Sequence, residues 1–468
     1  MKNQPTRRAF IKATSIAGAA TVAGYNSLSA STPNPAAKKI TISEVNSNFE
    51  REPLIRPFGF KGGYMTEIWQ TVNYLKSSSG EHKIGLCTQN VLWSDAQVFA
   101  AHSESGGNAL MFALTEKALQ IIKGQSFTTP VDLLDNILPE VYAYGQKITA
   151  NPQLRKTFAL NALVGTDNAA WLLYAAENGF KNFDEMIPGK YKPALSNHHA
   201  QAAAIPLMAY SIPISEIQAA TEQGYFFMKI KIGQPGTQEE MLEKDKARLT
   251  AIHQAIGNVR TKHTKDGKLP YYFDANGRYE KKETLLKLLD HARKIGAFDQ
   301  IAIIEEPFAE ELEVDVKDIP VRLAADESAH TDLDAIKRIE MGYKAIALKA
   351  IAKTLSMTMK IAQAAHERNI PCFCADLTVN PVLVEWNKNV AARLNAFPGL
   401  GNLGLVESNG HQNYRNWNTM MSYHPMPQGS WVKAEKGVYN LGSEFYKNSG
   451  GIFDPMPHYE AMFAAEKK

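Results

Sequence analysis

From Ala204 to Ser408 the sequence alternates short apolar runs with amphipathic segments, and this rhythm constrains the fold more than any other feature. The runs are Ile205–Ile212, Tyr225–Gly233, Leu269–Asn276, Ile301–Phe308, Val321–Ser328, Ala345–Ala350, Pro371–Thr378 and Leu403–Ser408. Their length and their β-branched and aromatic content read as buried strands. Intervening segments such as "TQEEMLEKDKARLTAIHQAIG" and "LSMTMKIAQAAHERN" have helical periodicity. Strands alternating with helices predict a parallel sheet. Eight repeats within roughly two hundred residues predict an α/β protein built on a closed (β/α)8 barrel of the TIM type. An open doubly wound sheet is the rival, but no glycine-rich phosphate fingerprint follows the first strand. The segment after the fourth run, "AEELEVDVKDI", is short and acidic and has the poorest helical pattern.

The rest of the chain divides around this core. Residues 31–160 mix strands and helices and read as an α+β domain. In it, "TEIWQTVNYLKSSSGEHKIGLCTQNVLW" alternates on either side of Ser-Ser-Ser-Gly, as a hairpin does. The barrel is expected over 161–424, and the Gly-, Pro- and Tyr-rich stretch 425–468 is expected to return to the first domain. The N-terminus departs from globular pattern. Arg7 and Arg8 precede a mild apolar run and then small residues, the plan of a secretory signal over residues 1–30. The run is too short and too rich in Gly and Ala to remain as a membrane span. Thr6-Arg7-Arg8-Ala9-Phe10-Ile11-Lys12 resembles a twin-arginine signal, which implies the twin-arginine export machinery as a partner and a periplasmic destination.

Net charge is only +3, with acidic and basic residues mixed, so nucleic acid is not an expected partner. Cys87, Cys372 and Cys374 offer neither a disulfide framework nor zinc-ligand spacing.

The chemistry is expected at the C-terminal ends of the strands, where barrel active sites lie. The second run, "GYFFMKIKIG", places Lys229 and Lys231 two apart, hence on one face of a strand that should be buried. The third run ends in Asp274, the fourth in Glu305 and Glu306, the fifth in Asp326 and Glu327, the sixth in Lys349 and the eighth in Glu407. Carboxylates delivered to one partly dry mouth repel each other, and a hard divalent cation resolves that conflict. A lysine beside another ammonium and a cation is expected to have a lowered pKa and to serve as a base.

With "DAN", "EEP" and "ADES" in order at strand ends, and with Lys-x-Lys on strand two and a lysine on strand six, the chain resembles the enolase superfamily. The likeness is to its mandelate racemase/muconate-lactonizing branch, and to the muconate-lactonizing-like subgroup. The resemblance implies that the α+β domain caps the barrel. It implies Asp274, Glu305 and Asp326 as ligands of Mg2+, with Mn2+ as the alternative ion. It implies Lys231 as the base, Lys229 as the residue that tunes it, Lys349 on the opposite face, and Glu407 against the substrate. The reaction implied is removal of the proton α to the carboxylate of a small substrate through an enediolate, as in a racemase or epimerase; dehydration or cycloisomerisation uses the same frame. The distinct alternative, a non-catalytic exported binding protein, predicts a missing ligand or base, and none is missing. A homo-oligomer is compatible with the sequence.

Two departures matter. "AIAKTLS" follows Lys349 where many relatives have a Gly-Gly turn, which makes Lys353 a rival to Lys349. Strand eight, "LVESNG", lacks the Asp-x-Asp with which dipeptide epimerases hold a substrate ammonium, which argues against a dipeptide. Glu306 and Glu327 are expected to make supporting contacts or cap turns, and His198 and His199 to lie in a solvated loop.

Overall fold

A computed structural model of the protein describes residues 38–60 and 63–464; the signal-like segment lies outside them. The barrel is present. Its strands are Gln201–Ile205, Met228–Lys231, Tyr271–Asp274, Ile301–Glu305, Leu323–Ala325, Ala345–Leu348, Cys372–Cys374 and Gly404–Glu407, here called strands one to eight. Neighbours pair in parallel and in chain order from strand two to strand eight. Strand one closes the ring. Its first part pairs with strand eight, Ile205 opposite Glu407, and beyond Pro206 the chain continues as Leu207–Met208 against strand two, Leu207 opposite Lys229. Pro206 has no N–H to donate, and it stands where strand one exchanges one neighbour for the other. The carbonyl of Pro206 already accepts from the Lys229 N–H at 3.0 Å.

Two expectations change in detail. Strand one starts at Gln201, because Ala202, Ala203 and Ala204 are small enough for close packing and pair with Gly404 to Val406. After strand four the acidic segment makes only a 3-10 turn, Glu310–Leu312, since its closely spaced carboxylates leave no apolar face to bury. The three cysteines are buried and free.

Before the barrel, Ile40–Phe60, Gly63–Ser77 and His82–Gln89 form an antiparallel sheet, with the expected hairpin turning at Gly80. Helices Ala96–Ile122, Pro130–Ile148 and Lys156–Asn178 accompany it. Helix Lys156–Asn178 is buried along nearly its whole length. At the chain's other end, Asn48 donates to Met462 O at 3.1 Å and Tyr74 meets Phe463, so the last residues lie against the first sheet. Among the described residues no helix is long and apolar enough to cross a membrane.

A buried acid joins helix Lys156–Asn178, which packs on the first sheet, to a helix of the barrel. Asp167, on helix Lys156–Asn178, accepts from Ser356 Oγ at 2.5 Å and from Ser356 N at 3.1 Å, in the first turn of the barrel helix Leu355–His366. Burial pushes the Asp167 carboxyl up to about 7 despite these bonds. A raised acid holds its proton longer in the folded state than in the unfolded one. Its stabilisation is full below the ordinary aspartate value of 3.8 and is lost as pH rises through about 7. The stabilisation amounts to at most about 4 kcal/mol. Urea titrations are expected to show stability falling between about pH 4 and 7, and Asp167→Asn is expected to flatten that slope; an unchanged slope in the variant contradicts the assignment.

Candidate active site

In a parallel pair, residues in register point to the same side, so register builds the site. Lys231 lies opposite Asp274, and Asp274 opposite Glu305. Glu305 lies opposite Ala324, and Asp326 stands two residues further toward the mouth. Lys349 directly follows Leu348, the last residue of strand six, and Glu407 ends strand eight. The turns that release these side chains are tight. Asn276, Glu306, Thr354 and Thr378 all have positive φ, a conformation that non-glycine residues adopt only when their surroundings enforce it. Gly233, just past strand two, has φ +78°, and a Cβ there would come within 2.6 Å of Arg278.

The mouth encloses a cavity of about 40 Å³. Lys229, Lys231, Asp274, Asp326, Lys349 and Glu407 line it. Glu305 is fully buried and reached through Lys229. Lys229 Nζ lies 2.8 Å from Glu305 Oε1, 3.1 Å from Asp274 Oδ2 and 3.3 Å from Glu407 Oε2. Lys231 Nζ lies 2.5 Å from both Asp274 Oδ2 and Asn276 Oδ1. Across the ring, Lys349 Nζ meets Asp326 Oδ2 at 2.5 Å and sits 4.5 Å from the centre of the Trp93 ring. Tyr272 donates its hydroxyl to Glu305.

The charges are strongly coupled. Burial drives the Glu305 carboxyl well above its usual range, against the pull of Lys229, and Asp274 and Asp326 push it further up. Burial also acts to raise Asp274, but Lys229 and Lys231 prevail and its carboxyl falls below the usual range. The same carboxylates act on the lysines. Burial acts to lower Lys229 and Lys349, yet both are raised, because Asp274, Glu305 and Glu407 around one and Asp326 around the other outweigh it. In Lys353, by contrast, burial wins and lowers the ammonium. A divalent cation shared among the carboxylates lowers carboxyl and ammonium groups alike, so it opposes the shifts of Glu305, Lys229 and Lys349 and adds to those of Asp274 and Lys353.

Glu305, Asp326 and Glu327 each bring a carboxylate oxygen within 4.8 Å of the others. This buried, all-oxygen set fits a hard divalent cation such as Mg2+. Asp274 stands next to it, sharing the Lys229 ammonium with Glu305. Glu306, as expected, caps a turn: its Oε2 accepts from Asp326 N at 2.7 Å and from Ser328 Oγ at 3.0 Å. His199 is buried and bonded to Leu394 O at 2.8 Å, so its loop is packed instead of solvated, and His198 pairs with Asp184 at 3.3 Å.

Sequence reasoning passed over several residues of the lining. Asp376 follows strand seven; its N–H donates to Glu407 Oε2 at 2.9 Å, and its Oδ2 accepts from Asn409 N at 2.8 Å. Burial, with Glu407 beside it, pushes the Asp376 carboxyl up to about 7. Its signal was available, since "CFCADLTV" ends an apolar run as the other acids do. Phe58, Asn90 and Trp93 reach the cavity from the first domain. They could not be found from spacing, because they arrive from another domain.

Comparison with known proteins follows the same outline. Residues 214–435 match the family described as Enolase C-terminal domain-like. No curated protein matches the chain. Among solved structures, the chain is similar to a dipeptide epimerase from Enterococcus faecalis V583 complexed with Mg and the dipeptide L-Leu-L-Tyr. The two are 16% identical with a TM-score of 0.59, over 86% of this chain and 97% of that one. It is also similar to a dipeptide epimerase from Cytophaga hutchinsonii complexed with Mg and D-Ala-L-Val, at 15% identity and TM-score 0.59, over 86% and 95%. The L-Ala-D/L-Glu epimerase from Bacillus subtilis gives 14% and 0.58, over 86% and 96%. At such identities these likenesses speak to the fold.

Proposed function

The barrel of this chain belongs to the enolase superfamily, and from that premise we propose that the protein is a Mg2+-dependent racemase or epimerase acting α to a substrate carboxylate. One observation carries the reading. Lys231 and Lys349 sit on strands two and six, four apart in a ring of eight, and both line the one cavity beside the carboxylate cluster. Two bases on opposite sides of one carbon permit proton removal from one face and return on the other.

Each residue then has a task. Lys231, held by Asp274 and Asn276, takes or returns the proton on one face. Lys349, held between Asp326 and Trp93, serves the other. Lys229 stays charged among three carboxylates and sets the field in which Lys231 works. Asp274, Glu305 and Asp326 would hold the cation, Mg2+ or in its place Mn2+. In support, Asp274 and Glu305 converge on one ammonium, and Glu305 and Asp326 lie in one oxygen cluster. When bound, Mg2+ supplies a Lewis acid for the charge that develops on the substrate carboxylate. Phe58 and Trp93, from the first domain, exclude water from the reacting carbon. The substrate is a small carboxylate. Solvent-derived deuterium at its α-carbon, followed in D2O with Mg2+, tests the reading.

The same proposal includes export to the periplasm, supported by Thr6-Arg7-Arg8-Ala9-Phe10-Ile11-Lys12. Replacing Arg7 and Arg8 together with lysine keeps the charge and removes the motif. Retention in the cytoplasm is expected, and an unchanged periplasmic yield contradicts export by this route.

A further inference from the structure

Two lysines, not one, reach Asp326. Lys353 ends the short turn Ala350–Lys353, and its N–H donates to Lys349 O at 2.7 Å. The two lysines are therefore one helical turn apart and on the same face. Their ammonium groups approach Asp326 differently. Lys349 meets Oδ2 and lines the cavity. Lys353 donates to the main-chain carbonyl of Asp326 at 2.6 Å and to Oδ1 at 3.3 Å; it is fully buried and is not part of the cavity wall. Nor is its own backbone free to drift. Thr354, the next residue, is held at φ +69°, and Ser356 is tied to Asp167 of helix Lys156–Asn178.

We propose that Lys353 is a positioning residue, which grips Asp326 by its carbonyl and Oδ1 from outside the cavity and so presents Oδ2 on the side of Lys349. The role is distinct from that of a base, since a group outside the cavity wall does not meet the substrate. It rests on the reading of Asp326 as a metal ligand. It also gives a purpose to the departure after strand six. "AIAK" supplies one turn of helix, which returns a side chain to the face of Lys349.

Charge and position make opposite demands, which allows a test. Removing a positive charge near a cation site strengthens cation binding. Removing the grip on a ligand weakens it, typically by about ten- to a hundredfold. Mg2+ affinity of the full chain is measured by calorimetry, and that of Mn2+ by electron paramagnetic resonance, for wild type, Lys353→Met, Lys353→Gln and Asp326→Asn. Thermal melts in chelator report folding separately. Positioning predicts weaker binding of both ions in Lys353→Met and partial recovery in Lys353→Gln, which keeps an N–H donor; if the methionine variant does not fold, the glutamine variant alone carries the comparison. Equal or tighter binding in the folded variant overturns the inference while leaving the metal site standing. If wild type binds neither ion, or if Asp326→Asn binds as wild type does, the metal-site reading itself fails and the inference with it.

Discussion

Lys231→Ala is expected to abolish α-proton exchange with solvent from one stereoisomer of the substrate and to spare it from the other, and Lys349→Ala is expected to do the reverse. The loss of a positioned base costs roughly a hundred- to ten-thousandfold in rate, so the asymmetry is large on any assay. The physical basis is the ring. With three strands between them on either side of the ring, the two ammonium groups cannot reach the same face of a carbon seated in the small cavity they both line. Both lysines are buried and ion-paired, so thermal melts of each variant report folding separately. Lys231 is the more exposed at 7%, and Lys349 packs on Trp93 through its charge. If Lys231→Ala slows exchange from both stereoisomers equally, the two-face account is wrong. Exchange in one stereoisomer only, with water lost or a ring closed in the product, points instead to a dehydratase or cycloisomerase.

The second large effect concerns the cation. Glu305→Gln and Asp326→Asn each remove a charged oxygen from the buried cluster and are expected to weaken Mg2+ binding by more than the roughly hundredfold that outer-sphere changes cost. Asp274→Asn is expected to do the same, whereas Glu327→Gln is expected to bind within several-fold of wild type, about 1 kcal/mol at most. That pair decides between two ligand sets. Asp274 completes the cation site if Lys229 marks where positive charge is held, between Asp274 and Glu305. Glu327 completes it if oxygen proximity alone decides. Calorimetric titration distinguishes them, and loss of binding in Glu327→Gln with retention in Asp274→Asn reverses the assignment.

Much of this site could be read from the chain because a barrel turns sequence into position. Every strand ends at the same mouth, so an acid or lysine that closes an apolar run is placed without knowledge of long-range contacts. That logic brought Lys229, Lys231, Asp274, Asp326, Lys349 and Glu407 to one cavity, with Glu305 next to them. It did not reach Trp93 or Phe58, whose approach depends on how the first domain packs over the barrel. Nor did it give the sign of the lysine shifts. That sign depends on how many carboxylates surround each ammonium, and three meet Lys229. The 3-10 turn after strand four was foreshadowed by its acidic, unpatterned sequence, but the interrupted strand one was not. The run Ile205–Ile212 reads straight through Pro206, whereas the closing of the ring makes that residue a change of partner.

The most direct measurement is deuterium incorporation at the α-carbon of small carboxylic acids in D2O, with the purified protein and Mg2+, followed by NMR across a broad library. The account predicts at least one acid that gains deuterium at that carbon, that loses this exchange when Mg2+ is chelated, and that appears as both stereoisomers at equilibrium. A protein that binds Mg2+ and exchanges no α-proton in any acid of the library would contradict it.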